Sequence, residues 1–336
     1  MKNPLGFVRA WQAASPPSVG VQLSENHASA VSIARTKRGM SVKEHVIEAF
    51  PPGIIFPGLN NRNILKPGCV IETLSRMLDT LELRSRRIGL VIPDSVAKVS
   101  LLRFEELPAR NADLEELIRW RIKKSVPFQV KDAQISYVPG AVLPEGGQEY
   151  IVTVARRDII EEYEQVCAEV GAHAGLIDLA TFGLATLILP PVTPGVSSVS
   201  LGAWLVIHVC GNYSSAAIIQ DGNLVFFRNK QIDSEEGLRD LVHQTTMYYE
   251  DRLKGNIFSK VVLAGFVIDG NGEREQDLAS PKQVLENYFK SPVETIDLIQ
   301  KVALGNEATR NPRILRELAP PIGLLLRGRE KRGFFS

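Results

Sequence analysis

One order of elements occurs twice in this chain, and that repetition restricts the fold more than any other feature. In the first half Val19–Leu23 and Ala28–Arg35 read as strands separated by the tight polar loop Ser24–His27. A third strand follows at Glu44–Phe50, and Ile71, Leu74, Leu78 and Leu81 mark a helix by their spacing. In the second half Trp204–Val209, Ala216–Gln220 and Leu224–Arg228 read as strands. Leu238, Leu241, Val242, Thr245, Tyr249 and Leu253 then line one face of a long helix. Asp221-Gly222 lies between two of these apolar runs and specifies a hairpin, because both residues tolerate the positive φ of a type I′ turn. The copies lie roughly half a chain apart, far beyond the period of about 20–50 residues seen in solenoids. The expected fold is a two-lobed α/β duplication.

Between the copies the pattern changes. Ile88–Ile92 and Lys98–Phe104 read as strands. Leu114, Ile118 and Ile122, with Leu117 between them, form the apolar stripe of a helix that Pro127 stops. Asp113 is expected to cap its first turn, with Glu116 reaching back to the same amide. Ala133, Ile135 and Tyr137 alternate as a strand, Tyr150–Ala155 reads as another, and the helix Asp158–Val170 ends at Gly171. Arg119, Arg121, Lys123 and Lys124 give the first helix a basic face. This order describes a small α+β unit inserted in a larger one. The expected division is a first lobe from residues 1–85 and 172–195, an insert over 86–171, and a second lobe over 196–336. Asp178–Leu189 is expected to be a linking helix, and the Pro- and Ser-rich LPPVTPGVSSVS marks the boundary.

With 336 residues, 44% hydrophobic and 23% charged, the chain is expected to build more than one core. A formal net charge of +1 gives no pull toward nucleic acid. Cys69, Cys167 and Cys210 are widely spaced and suit a reducing compartment. Arg9 and Gln12 interrupt the N-terminal apolar residues, and no run approaches the roughly twenty needed to span a bilayer. A cytoplasmic protein that reaches a membrane through a partner is expected. The five histidines have no metal-ligand spacing, and neither a nucleophile elbow nor a Gly-x-Gly-x-x-Gly loop is present.

Several segments, in order, carry a resemblance: FPPGIIFPG, IGLVIPDS, the Pro-Phe corner at Pro127-Phe128, YIVTVARRDIIEEYEQVCAEVGAHAGLIDLATFGLA, DGNLVFFRNKQI and the basic tail after Gly323–Arg327. Together they resemble the PilM family of type IV pilus assembly proteins, which are actin-like and related to FtsA. The resemblance implies an actin-like ATPase fold with a nucleotide cleft between its lobes. It further implies a structural adaptor beneath the inner-membrane assembly platform, holding the cytoplasmic N-terminal peptide of a PilN-like membrane protein in its first lobe. Other platform proteins, pilus motor ATPases and a homo-oligomeric ring are further implied associations. Lys98–Phe104 is expected to wall the peptide groove, with Val99, Leu101 and Phe104 on one side, and Arg119 or Lys123 could meet an acidic partner residue.

In such a fold each lobe supplies an Asp-x-Gly hairpin, whose glycine lets amides converge on phosphate and whose carboxylate holds hydrated magnesium. Here Gln22 and Ser24, followed by Glu25, stand at the first hairpin. His208 and Cys210 stand at the second, followed by Gly211, Asn212, Ser214 and Ser215. Gly265, followed by Phe266, stands at the adenosine loop. Both carboxylates are missing. Two readings stay open: a cleft without nucleotide, metal or catalytic residue, or ATP held by backbone amides and the Ser24, Ser214 and Ser215 hydroxyls with little or no hydrolysis. An FtsA-like filament protein is a third class, distinguished by a C-terminal membrane helix that the sequence does not show.

Overall fold

The computed structural model describes residues 17–36, 39–81, 86–108, 110–143, 146–189, 202–232, 234–268, 274–275, 278–296, 298, 302–304 and 311–327. The first lobe opens with β1 (Val19–Leu23), β2 (His27–Thr36) and β3 (Gly39–Ala49), then α1 (Pro67–Thr80) and β4 (Arg87–Ile92). The middle of the chain forms β5 (Ala97–Phe104), α2 (Asn111–Ile122), β6 (Ala133–Val142), β7 (Gln148–Arg156), α3 (Arg157–Glu169), β8 (His173–Leu179) and α4 (Ala180–Ile188). The second lobe runs through β9 (Ala203–Cys210), β10 (Tyr213–Gln220), β11 (Asn223–Gln231), α5 (Glu235–Leu253), β12 (Lys260–Ile268), β13 (Arg274–Glu275), α6 (Ala279–Phe289) and β14 (Glu294–Thr295). β15 (Ala303–Leu304) and α7 (Pro312–Arg327) complete the described chain.

The two copies form separate sheets with matching order. The first runs β15-β3-β2-β1-β4-β8 and the second β11-β10-β9-β12, with β14 beside β12 in parallel. In each, an antiparallel meander hands over to a parallel strand, β1 to β4 and β9 to β12. The hairpin joining β10 and β11 turns through Asp221 at φ 50° and Gly222 at φ 84°, as the Asp-Gly pair requires.

β1 is buried throughout, so both faces of the first sheet are covered. Val19, Val21 and Leu23 share a core with Leu74 and Met77 of α1 and Tyr163 of α3. On the other face Val31 and Ile33 pack with Leu184 and Leu187 of α4 and Leu318 and Ile322 of α7. α4 and α7 approach backbone to backbone. A Cβ on Gly323 would lie 1.9 Å from the Gly183 carbonyl oxygen, and one on Gly183 would lie 2.3 Å from that of Pro320. Pro320 and Pro321 sit inside α7 and remove two amide donors at this contact.

Several expectations shift. β4 pairs in parallel with β1 (Val19↔Ile88 to Gln22↔Val91), and α3 gives Ile159, Tyr163 and Val166 to the first-lobe core. The separate three-stranded sheet, ordered β5-β7-β6, therefore spans 97–156 with α2 over it, narrower than the expected 86–171. β15 pairs with β3, and α7 packs on β1 and β2, so residues 303–327 return to the first lobe and do not extend the second. Asp178 belongs to β8, and the linking helix begins only at Ala180, because His173–Leu179 pairs in parallel with β4. α2 has no side-chain cap: Asp113 is gripped by the Arg110 guanidinium at 2.8 and 2.9 Å. The N-terminal segment, the boundary LPPVTPGVSSVS after Leu189 and the basic tail after Arg327 lie outside the described residues.

The α4–α7 contact has no room for a methyl group. Gly323→Ala should lower unfolding free energy by about 1–3 kcal/mol, the usual result of overpacking. Urea denaturation read by circular dichroism measures it, and an unchanged midpoint would contradict the contact.

A polar cluster between the lobes

The hairpin between β1 and β2 is closed on itself. Ser24 N–H donates to His27 O at 2.9 Å, and the Ser24 hydroxyl lies 2.9 Å from the same oxygen and 2.5 Å from His27 Nδ1. Ser24 is not among the positive-φ residues, so this turn uses none of the freedom a glycine would offer. Its counterpart between β9 and β10 turns through Gly211 at φ 57°. The two hairpins meet: Asn212 Nδ2 donates to Glu25 Oε1 at 2.8 Å. Burial raises the Glu25 carboxyl above its ordinary value, and the Asn212 bond opposes that.

Also between the lobes lies Asp94, which is fully buried. Pro93 ends β4, and a single 3-10 turn at Asp94–Val96 aims the carboxylate across the gap. Asp94 Oδ2 accepts from Ser215 Oγ at 2.6 Å, from the Thr181 hydroxyl, and from His208 Nδ1 at 3.2 Å. Asp94 Oδ1 accepts from Thr181 N–H at 3.0 Å. His208 Nδ1 also lies 3.0 Å from Thr181 Oγ1. The Tyr213 phenol oxygen accepts from Asp94 N–H at 3.4 Å, and Asn229 Nδ2 reaches Ser215 Oγ at 3.0 Å. Asp94 and Thr181 come from the first lobe, whereas His208, Tyr213, Ser215 and Asn229 come from the second.

Burial opposes charge on Asp94, but the His208 bond and charge, with the Ser215 and Thr181 hydroxyls, outweigh it and hold the carboxyl below its ordinary value. Burial likewise pushes His208 down, yet Asp94 and the Cys210 sulfur bring it up to about 9. At neutral pH the pair is a carboxylate and an imidazolium. Beside it, the Arg327 guanidinium of α7 reaches Asp178 Oδ2 at 2.5 Å; burial raises the Asp178 carboxyl, and Arg327 opposes this. Ser215, Asp94 and His208 share the residue types of a hydrolase triad, but the hydroxyl donates to the carboxylate and all three are buried from solvent.

The structure brings together part of the site read from sequence. His208 and Ser215 meet Asp94, and Glu25 meets Asn212. Ser214 does not join them: it neighbours Ser215 on β10, so strand alternation turns it to the opposite face, where its buried Oγ has no partner. Gln22 alternates with Val21 and Leu23 and faces the α7 side with Oε1 buried and unpartnered. Gly265, at φ 101°, is pressed on the neighbouring strand, since a Cβ there would lie 1.8 Å from Val209 O and 2.9 Å from His208 Cδ2. Next to it an apolar hollow lined by Leu184, Leu263, Thr295, Ile296 and Leu315 has room for about one water. The Phe266 side chain lies outside the described residues. Sequence reasoning missed Asp94, Thr181, Tyr213 and Asn229. Its one available signal was an acidic residue directly after a buried strand, at Pro93-Asp94.

Two lobes of matching strand order, bound by α4 and α7, with turns facing each other across a cleft, define a protein of the actin-like ATPase fold. A family model described as type IV pilus assembly protein PilM matches residues 20–255, and the chain belongs to that family. Among solved structures, a chain of a PilM-PilN type IV pilus biogenesis complex is 14% identical with TM-score 0.72, covering 93% of this chain and 98% of that one. A Bacteroides thetaiotaomicron protein of actin-like ATPase fold and unknown function is 10% identical with TM-score 0.50, covering 84% and 93%. No curated protein matches the sequence.

The signs of the two shifts set a pH window. His208, raised above 6.5, contributes stability that is complete below that value and is lost as pH rises through about 9. Asp94, lowered below 3.8, contributes stability above that value that is lost as pH falls through its folded value. His208→Ala should therefore lose about 3–5 kcal/mol at pH 7 by stranding a buried carboxylate. It should also flatten the alkaline limb of a stability–pH curve measured by chemical denaturation; a limb as steep as wild type would contradict the pairing.

Proposed function

We propose that this protein is a cytoplasmic adaptor of the type IV pilus assembly platform that holds the N-terminal peptide of a PilN-like inner-membrane protein and does not turn over ATP. The family supplies the setting, and the similar PilM-PilN complex supports the partner class. Among the described residues no helix is long and apolar enough to cross a membrane, in keeping with recruitment through a partner. The observation that carries the non-enzymatic part is the Asp94 cluster.

A magnesium-bound triphosphate does not fit these residues. Asp94 Oδ2 already takes three partners, the Ser24 amide and hydroxyl serve their own hairpin, and the Glu25–Asn212 bridge spans the hairpins that would cradle phosphate. Gly265 is pressed directly on Val209 and His208 of β9. What remains for function is surface.

The peptide site is best supported at the inserted sheet. β5 pairs only with β7 among the described strands and is an edge to which an extended peptide can add. Its side chains alternate: Val99 joins the first-lobe core, while Phe104 joins Ile118 and Val152 under α2. Val99 and Phe104 thus lie on opposite faces, contrary to the expected single wall. The Ser95 hydroxyl donates to Pro57 O at 3.4 Å, which brings the turn carrying Phe56 and Leu65 to the start of β5. Phe56 and Leu65 are 52% and 50% exposed, an uncovered apolar pair at this border. Arg119 is held by Glu115 at 2.9 Å, leaving exposed Lys123 as the cation for an acidic partner residue.

Calorimetry with a synthetic peptide of the partner's first twenty or so residues should give about micromolar affinity, roughly −8 kcal/mol. Phe56→Asp with Leu65→Asp should weaken it at least about tenfold. In the same cell Mg-ATP should give no binding heat, and a steady-state assay no turnover. Measurable ATP affinity would revive the ATP-binding reading, and undiminished peptide binding by the double variant would move the site elsewhere.

A further inference from the structure

We infer that His208 is a built-in cation that closes the two lobes on each other without any ligand. The inference rests on the reading of the cleft as free of nucleotide and adds what holds it shut. The buried negative charge of Asp94 belongs to the first lobe, and the imidazolium that meets it at 3.2 Å belongs to the second. The other nearby cation, Arg327, is engaged by Asp178 at 2.5 Å. Facing His208 are Asp94 after β4, Thr181 of α4, Tyr213 and Ser215 of β10, Cys210 on its own strand and Gly265 of β12.

The surroundings fit a permanent closure. The Asp94 carboxylate has four protein contacts, three of them to hydroxyl or imidazole groups. The close passage of β12 over Val209 fixes the backbone that carries His208. Asn212 and Glu25 also join the two lobes, through their hairpins. A charge pair spanning two bodies in a buried site is strong only while both partners are present.

The test exchanges the internal cation for an external one. His208→Asp sets a second carboxylate against Asp94, beside the Ser215 and Thr181 hydroxyls, an all-oxygen donor set suited to a hard divalent ion. In metal-free buffer this variant should melt several degrees below wild type. Millimolar Mg²⁺ or Mn²⁺ should restore at least half of that loss, while wild type and His208→Asn show no metal response. A His208→Asp variant that is indifferent to metal would overturn the inference. Should that variant fail to fold, the neutral pair Asp94→Asn with His208→Asn decides. Its β9 and β10 amides should exchange at least about tenfold faster than in wild type, because closure then lacks its charge pair. Wild-type exchange rates would overturn the inference. ATP binding by wild type would instead overturn the adaptor reading, and calorimetry reads that separately.

Discussion

A carboxylate buried to zero exposure must be answered by its neighbours, and the way Asp94 is answered organises the middle of this molecule. Four groups from two lobes converge on it. The sheets are apolar bodies that could slide over one another; hydrogen bonds of fixed length and angle set their registry. α4 is placed so that Thr181 offers both its amide and its hydroxyl to the same carboxylate. α7 then closes the base through Gly323 and Gly183, where backbone meets backbone.

The duplicated lobes were legible because strand alternation and turn chemistry are local. The β9–β10–β11 meander follows from apolar runs flanking Asp221-Gly222, and both residues have the positive φ that the pair specifies. The α1 stripe follows from the spacing of Ile71, Leu74, Leu78 and Leu81, of which the last three are buried and Ile71 is partly buried against the same core. Other features needed partners distant in sequence. His173–Leu179 shows no clean alternation, and only pairing with β4 makes it a strand. β4 itself reads as part of the insert until β1 claims it.

The candidate site was half legible for the same reason. Loops that lack a motif's carboxylate are visible in sequence, so Gln22 and His208 could be recognised as departures. What replaced the carboxylate could not be: Asp94 lies 114 residues from His208 and 121 from Ser215, and nothing local links them. Ser214 and Ser215 are adjacent and chemically alike, yet the pleat separates them to opposite faces. The cluster thus joins the lobes through the protein's own side chains, while Phe56 and Leu65 stay exposed at the border of the inserted sheet.

The return of β15 and α7 to the first lobe has a consequence for how the chain matures. The second lobe is contiguous from β9 to β14 and can assemble as soon as it leaves the ribosome. The first lobe cannot. One face of its sheet stays incomplete until residues 303–327 have been made, because Gly20 of β1 and Gly89 of β4 pack against Pro321, Leu324 and Leu325 of α7. Until α7 has been made the first lobe lacks part of its cover, a stage at which exposed apolar strand surface invites aggregation. The lobe that comes first along the chain is thus completed by α7, which packs on β1, β2 and β4 from far along the sequence.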